Sequence, residues 1–439
     1  MIAPATLALT VLLCVAILNV PRKHVISIYV IGMCFVPADQ AMVISGLDFK
    51  ILRIFAFVGC LRIVMKGEHY RGRLNLMDWL YVFWVVTGTL AYLLLWESGK
   101  AFIYKLGVLV DTFMLYYVFR SYITDIADIV RAMMVLVGSI IVMTPFVMFE
   151  QFYGVNPFYI LGRDHTSHRD GRIRCSAAFS HAILLGSFAA SIMPVSIALL
   201  RASSRRSTAR KLFCLCGVVC SIYVTIASAS SGPILALLAG IGAVLCFRYR
   251  KYAGIMAYAL FGLVIFLHLT MKAPVWHLFS RIDVAGGSTG YHRYHLYDQT
   301  VKNFSEWALI GVKGVAHWNV WAGDITSMYV AQAVFGGLLT LILFIWMVAL
   351  CLRFSWRCSL LRLDLALQWL LWGFFCSFLT HVVSFLSVSY FGQINMLMTM
   401  SLVMCAFLMQ RKKWLVTMGC SLEAAATKPR RKAPLFHPA

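Results

Sequence analysis

The chain has 439 residues, of which 61% are hydrophobic, with a mean hydropathy of +0.81 and a formal net charge of +22. Soluble domains are about 45–50% apolar, so a soluble fold is excluded, and the alternating ~10-residue segments of a transmembrane barrel are absent. The charge does not point to nucleic acid, because Lys and Arg cluster in short loops between apolar runs, where they orient spans and attract anionic lipid at about 1 kcal/mol per residue.

What remains is an all-α, polytopic integral membrane protein. Its apolar runs lie near the ~20 residues that cross a bilayer as helix, and we expect about 12–13 transmembrane helices in one domain over residues 1–421. The first six segments are Pro4–Val20, Val25–Ser45, Ile51–Met65, Leu76–Trp96, Ala101–Phe119 and Ile129–Phe149. No basic residue precedes Pro4–Val20 and no small-residue cleavage site follows it, so an uncleaved helix entering from outside is expected. Ile51–Met65 is short and carries Arg53 and Arg62, which makes it a poor fit to a span. After a loop over residues 150–176 come Ala177–Leu200, Leu212–Ala229, Gly232–Phe247 and Ala253–Thr270. After a second long loop, 271–323, come Ile325–Leu352, Leu365–Val388 and Gln393–Gln410. Residues 422–439, rich in Ala, Lys, Arg and Pro, read as a disordered basic tail.

Loop charge orients the chain. Arg22 and Lys23, Lys66 with Arg71 and Arg73, the cluster from Arg201 to Lys211, Arg248 to Lys251, Arg353 to Arg362, and Arg411 to Lys413 fall in alternate connections. Those connections and the C-terminus are expected in the cytoplasm. The two long loops are then external, yet both are basic. Arginine is scarce on that side, so arginines held there suggest a bound anion, and phosphates are the best anions at a membrane surface. The first loop holds Arg163, Arg169, Arg172 and Arg174. Snorkelling to headgroups is the alternative for each arginine alone; four within a dozen residues weigh against it for all.

In the second loop, Ser288–Thr289 after Gly286–Gly287 can cap a helix. Tyr291, Tyr294, Tyr297, Val301, Phe304 and Ala308 then recur at helical spacing, an amphipathic helix expected to lie on the bilayer with its aromatic face down. Arg293 on that helix, with Arg281, His292 and His295, would form a second arm on the same anion. Asp324 precedes the next span, where it is expected to cap the helix or, facing a cavity, to act as a base. Asp39, Asp78, Lys105 and Asp111 fall within apolar segments, where charge is costly and usually functional. Asp78 is close enough to the cytoplasmic edge to be solvated; Lys105 and Asp111 need partners elsewhere. These residues carry the alternative function, a secondary transporter or lipid-linked oligosaccharide flippase. A non-catalytic subunit of a synthesis complex is a third. No Walker loop, Rossmann fingerprint, HExxH or CxxC pair is present. The thirteen cysteines have no metal or disulfide spacing, and Cys175 alone is placed at the outer face.

Four blocks in order carry a resemblance. Arg174-Cys-Ser-Ala-Ala-Phe-Ser-His181 leading to Gly186, the turn Ser230-Ser231-Gly232-Pro233, Arg293 ahead of Leu309-Ile-Gly311-Val-Lys-Gly314, and Tyr329-Val-Ala-Gln-Ala-Val-Phe-Gly336-Gly337-Leu338 resemble the O-antigen ligase and Wzy-type polysaccharide polymerase superfamily. Thr326-Ser327 stand where the ligase branch has His-Asn, and Ser231 stands where many members have Arg, which favours a capsule or exopolysaccharide polymerase over a ligase. The resemblance implies metal-independent, cofactor-free, inverting glycosyl transfer at the periplasmic face of a bacterial inner membrane. Donor and acceptor would be glycans linked to undecaprenyl diphosphate, and a flippase and a chain-length regulator of the same pathway are the implied partners. Arg172, Arg174 and Arg293, with Arg281 beside them, would hold the diphosphate; Asp324, then His181 and Glu150, are the candidates to take the acceptor proton. The aromatics Tyr153, Phe158, Tyr159, Trp318 and Trp321 would stack on sugars or form an interfacial belt.

Overall fold

A computed structural model describes residues 2–44, 47–163, 166–169, 171–203, 208–281, 290–318, 324–411 and 417. Helices α1 (Pro4–Asn19), α2 (Val25–Phe35), α3 (Ile51–Lys66), α4 (Leu76–Trp96), α5 (Gly99–Tyr122) and α6 (Ile126–Tyr153) precede the first long loop. α7 (Ala182–Ala202), α8 (Thr208–Ala227), α9 (Ser231–Leu245) and α10 (Ala253–Thr270) follow it. The second loop holds α11 (Gly290–Lys302) and α12 (Phe304–Trp307), and α13 (Met328–Ser359), α14 (Leu365–Ser384) and α15 (Gln393–Gln410) complete the bundle. Strands among the described residues are confined to two antiparallel hairpins, β1 (Ala41–Ile44) with β2 (Leu47–Lys50) and β3 (Ser167–Arg169) with β4 (Arg172–Arg174). The chain is all-α, and among the described residues nine helices are long and apolar enough to cross a membrane, with Ser231–Thr270 counted as one. The predicted tail and the Gly286–Thr289 cap lie outside the described residues.

Every predicted segment holds a helix, but two boundaries move for physical reasons. The segment expected over Val25–Ser45 is helical only to Phe35, because Pro37 disfavours helical backbone at Val36 before it; the chain then turns into the β1–β2 hairpin. The helix expected from Ala177 starts at Ala182. Ala177 is in the left-handed region at φ 45°, and the five residues before α7 form a loop instead. α7 is buried around most of its circumference, the mark of a core helix, and packs against α14, α8 and α9.

The arginines that made Ile51–Met65 a poor span anchor it. Arg53 Nε lies 2.6 Å from Asp111 Oδ1 on α5. Arg62 donates to the carbonyls of Ile17 (2.6 Å) and Val20 (2.7 Å), closing the end of α1, and pairs with Glu68. Asp78 is not solvated as expected: it is 1% exposed, caps α4, and accepts from Arg120 and Tyr116. Pairing is what permits that burial. The Lys105 ammonium sits 4.4 Å from the Tyr92 ring centre.

α13 is broken once. Gly337 has φ 74° and ψ 179°, conformations open in practice to glycine alone. The backbone groups freed by the break are taken up by the loop after α12: Val312 N–H donates to Val334 O (2.7 Å) and Leu338 N–H to Ala308 O (2.9 Å). Such interruptions persist at membrane depth only when protein satisfies them. Gly311, at φ 86°, faces the same crossing, where an added Cβ would strike Val334 O, and one on Gly337 would lie 2.5 Å from Leu309 O. We predict that Gly337→Ala lowers the melting temperature of the detergent-purified protein, by roughly 2–4 kcal/mol of strain and clash. Gly262→Ala, whose Cβ would enter open space, leaves melting unchanged.

Candidate functional site

The first long loop is pinned from below. Glu150, at the end of α6, is fully buried and accepts the backbone N–H groups of Ser176 (3.1 Å) and Ala177 (2.9 Å). Asn156 donates to Ala177 O (2.9 Å), and Gln393, the first residue of α15, donates to Ala178 O (2.6 Å). Both Glu150 oxygens are therefore engaged in holding the loop, and the residue is fully buried.

Above this floor stands the β3–β4 hairpin. Arg169 pairs across it with Arg172 and Ser167 with Arg174, so alternation places Arg169, Arg172 and Arg174 on one face. Like charges so placed repel unless an anion joins them. Arg174 is 8% exposed and donates through Nη2 to Ser230 Oγ (2.8 Å), at the start of α9. Arg163 pairs with Asp39 and donates to Ser180 O (2.6 Å). Arg293, on α11, is 7% exposed. Its charge interacts with those of Arg169 and Arg174, which brings the two loops into one cluster. Burial lowers the Arg293 pKa to about 10, and burial with the Arg169 charge lowers that of Arg174; both remain cations at neutral pH.

The polar atoms of this cluster are conspicuously underused. The Nε–H groups of Arg163, Arg174 and Arg293 are buried without a partner among the described residues, as are Ser180 Oγ, His295 Nδ1 and Thr326 Oγ1. Buried polar groups are overwhelmingly hydrogen-bonded, so the open Nε–H groups of Arg174 and Arg293, which pair with no carboxylate among the described residues, leave donors free for an anion.

His181 and Asp324 lie beside the arginines. His181 caps α7, its Nδ1 accepting the Ile183 N–H at 3.1 Å. A nitrogen that accepts from a backbone amide carries no proton, so the neutral ring presents Nε2–H outward as a donor. Burial and then the Arg174 charge lower its pKa to about 4, while the Asp324 charge acts in the opposite direction. Asp324 does not cap α13; Ser327 does, accepting from Val330 N–H. The Asp324 carboxylate is exposed, and its backbone carbonyl lies 3.0 Å from His292 Nε2. Tyr297 OH, 2.8 Å from Ser327 Oγ, fastens α11 to the start of α13.

The structure brings Arg174 and Asp324 near enough to His181, and Arg174 near enough to Arg293, for their charges to act on one another. Arg172 is on the cluster face of the hairpin but exposed. Arg281 ends a 3-10 turn, Val275–Arg281, and is exposed. Cys175, placed at the outer face, is fully buried. On α11, Arg293, Leu296 and Thr300 are buried, with Leu296 packed on Val330 and Val334 of α13, while Tyr291, Val301 and, beyond the helix, Phe304 of the expected stripe are exposed. Of the aromatics, Phe158 is buried against Phe146, Trp318 donates to Glu306, Tyr153 and Tyr159 are exposed, and Trp321 lies outside the described residues. Asp39, assigned to a span, instead lies after α2 as the partner of Arg163. With Asp111 held by Arg53 and Asp78 by Arg120, three of the four residues behind the transporter alternative are engaged in pairs. Arg163 and Arg169 join the cluster unassigned by sequence, although they stand in the same basic loop. Among the described residues no three His, Cys, Asp or Glu side chains form a metal-ligand set. No protein-family model matches the chain, and no curated protein matches it in sequence.

The depressed His181 pKa gives a stability prediction. Between pH 6.5 and about 4 the unfolded chain takes up a proton that the folded chain refuses. This contribution is complete above pH 6.5 and declines as pH falls toward 4. His181→Asn retains a capping oxygen for Ile183 and removes the titration. Its melting temperature should fall less than that of the parent protein between pH 7 and 5; parallel curves would contradict the assignment.

Proposed function

We propose that this chain is a membrane glycosyltransferase that joins oligosaccharide repeat units linked to undecaprenyl diphosphate into an exopolysaccharide, capsule or O-antigen. In this reading it crosses the inner membrane of a bacterium about 12–13 times, with the arginine cluster at the periplasmic face and the C-terminus in the cytoplasm. A flippase supplies its substrate and a chain-length regulator acts beside it. The observation that carries the reading is the burial of Arg174 and Arg293 with orphaned Nε–H groups and no carboxylate partner among the described residues. A lipid diphosphate supplies the missing charge, the planar donor pattern of guanidinium suits its oxygens, and no metal is required.

The reaction then follows from charge placement. An acceptor hydroxyl attacks C1 of the donor sugar from the face opposite the diphosphate. A new C–O bond forms as the bond from C1 to the diphosphate oxygen breaks, inverting the centre. The hydroxyl proton passes to Asp324, the exposed carboxylate close enough for its charge to act on His181. The negative charge that develops on the leaving diphosphate is met by Arg174, Arg293, Arg172 and the Nε2–H of His181. His181 is therefore a donor to the leaving group and not the base, and Glu150 is a positioning residue beneath the loop.

Purified protein given lipid-linked repeat units, without nucleotide, tests this by gel analysis of the polymer. Arg174→Ala and Arg293→Ala should each lose about 100-fold or more in rate, as removal of a single preorganised donor does elsewhere. Asp324→Asn should lose about 100- to 10,000-fold. Full activity in both arginine variants refutes the diphosphate role, and full activity in Asp324→Asn removes it as the base.

A further inference from the structure

At the opposite end of the bundle lies a cavity of about 460 Å³, enclosed by the ends of α3, α5 and α15 and the turn after α1. α15 connects the two ends, with Gln393 beneath the arginine cluster and Gln410 in the cavity wall, about 26 Å apart by helical rise. Among the described residues the walls carry Arg22, Arg71, Arg120 and Arg411, with Glu68 as the one carboxylate.

That carboxylate is already spent. Arg62 donates to both Glu68 oxygens (2.8 and 3.0 Å) and Tyr122 OH donates to one (2.9 Å); the Arg62 bond, foremost, holds its pKa below the ordinary value. Arg120 forms the floor at 2% exposure, fixed by Asp78 (3.0 Å) and by Gln410 Oε1 (3.1 Å), with its guanidinium 4.3 Å from the Tyr70 ring centre. Arg22 is anchored to the Ser121 carbonyl at 2.7 Å. Among the described residues, Arg22, Arg71 and Arg411 enter no ion pair with a carboxylate. The wall is also shaped: Tyr70 OH stands 3.0 Å from both Arg73 O and Gln410 Oε1. A Cβ on Gly72 would meet both the Tyr70 hydroxyl and the Gln410 amide, so the loop lies close against the end of α15.

The tendency of basic residues to stay in the cytoplasm accounts for arginines at this end. It does not account for their convergence on a concave, structured cavity whose acid is neutralised from behind. We propose that this cavity is a second anion site, which binds a phosphate-bearing group through Arg22, Arg71 and Arg411. Its volume is in the range of small-ligand pockets, and arginine is the side chain best matched to phosphate oxygens. The phosphate belongs either to an anionic lipid headgroup of the adjacent leaflet or to a soluble phosphate compound.

The full-length protein in detergent tests this with two probes. Native mass spectrometry reads retention of phosphatidylglycerol against phosphatidylcholine of the same chains, and thermal shift reads binding of inorganic pyrophosphate. The double variant Arg71→Gln/Arg411→Gln should weaken binding of one probe at least about tenfold. Loss for phosphatidylglycerol identifies a lipid headgroup; loss for pyrophosphate alone identifies a soluble phosphate. Arg248→Gln/Arg353→Gln, which removes equal charge outside the cavity, should change neither probe by more than about twofold. Arg174→Ala should leave the cavity-dependent binding intact, so this site and the proposed catalytic cluster stand or fall separately. Equal binding by the cavity variant and the parent for both probes, or equal loss in the cavity and control variants, overturns the proposal.

Discussion

Taking a guanidinium out of water costs several kcal/mol unless an opposite charge meets it. Arg174 and Arg293 are both nearly buried, neither pairs with a carboxylate among the described residues, and the charges of other arginines act on both. Everything around them serves to hold that unfavourable arrangement in place. Glu150 and Asn156 grip the loop after β4, Gln393 grips it from α15, and Ser230 receives Arg174. On the other side, Leu296 and Tyr297 lock α11 onto α13. A site that gathers cations before any anion arrives is preorganised for negative charge, and needs no rearrangement when that charge develops.

The break in α13 belongs to the same design. Gly337 interrupts the helix, the loop carrying Gly311 fills the interruption, and α12 and α11 are thereby tied to the core. The helix that carries Arg293 is therefore not a free interfacial element. Its position is tied to the Val312–Val334 and Leu338–Ala308 backbone hydrogen bonds, so Gly311 and Gly337 help to set where Arg293 stands. The paired charges Arg53–Asp111 and Arg120–Asp78 do comparable work among α3, α4 and α5, where they bind helices together.

Much of this was legible from residues alone, where the signal was local or broke a strong rule. Helix positions followed from hydropathy, and the arginines of the two loops stood out because they violated charge asymmetry. The early stop of α2 was also written in the chain, at Val36-Pro37, and was outweighed by the apolar run. What could not be read were pairings between distant segments. Nothing in the sequence says that Glu150 will spend both oxygens on the amides of Ser176 and Ala177, that Arg53 will meet Asp111, or that Ser327 and not Asp324 will cap α13. The tautomer of His181 depends on one hydrogen bond from Ile183, which leaves the proton of the neutral ring on Nε2.

The central claim is that the buried arginines hold a reacting diphosphate. The most direct measurement is a structure of the protein bound to an undecaprenyl-diphosphate-linked repeat unit. The account predicts diphosphate oxygens about 2.7–2.9 Å from the guanidinium nitrogens of Arg174 and Arg293, with the first sugar turned toward Asp324. A diphosphate seated away from both arginines, with the cluster occupied by an ordinary lipid headgroup, would contradict it.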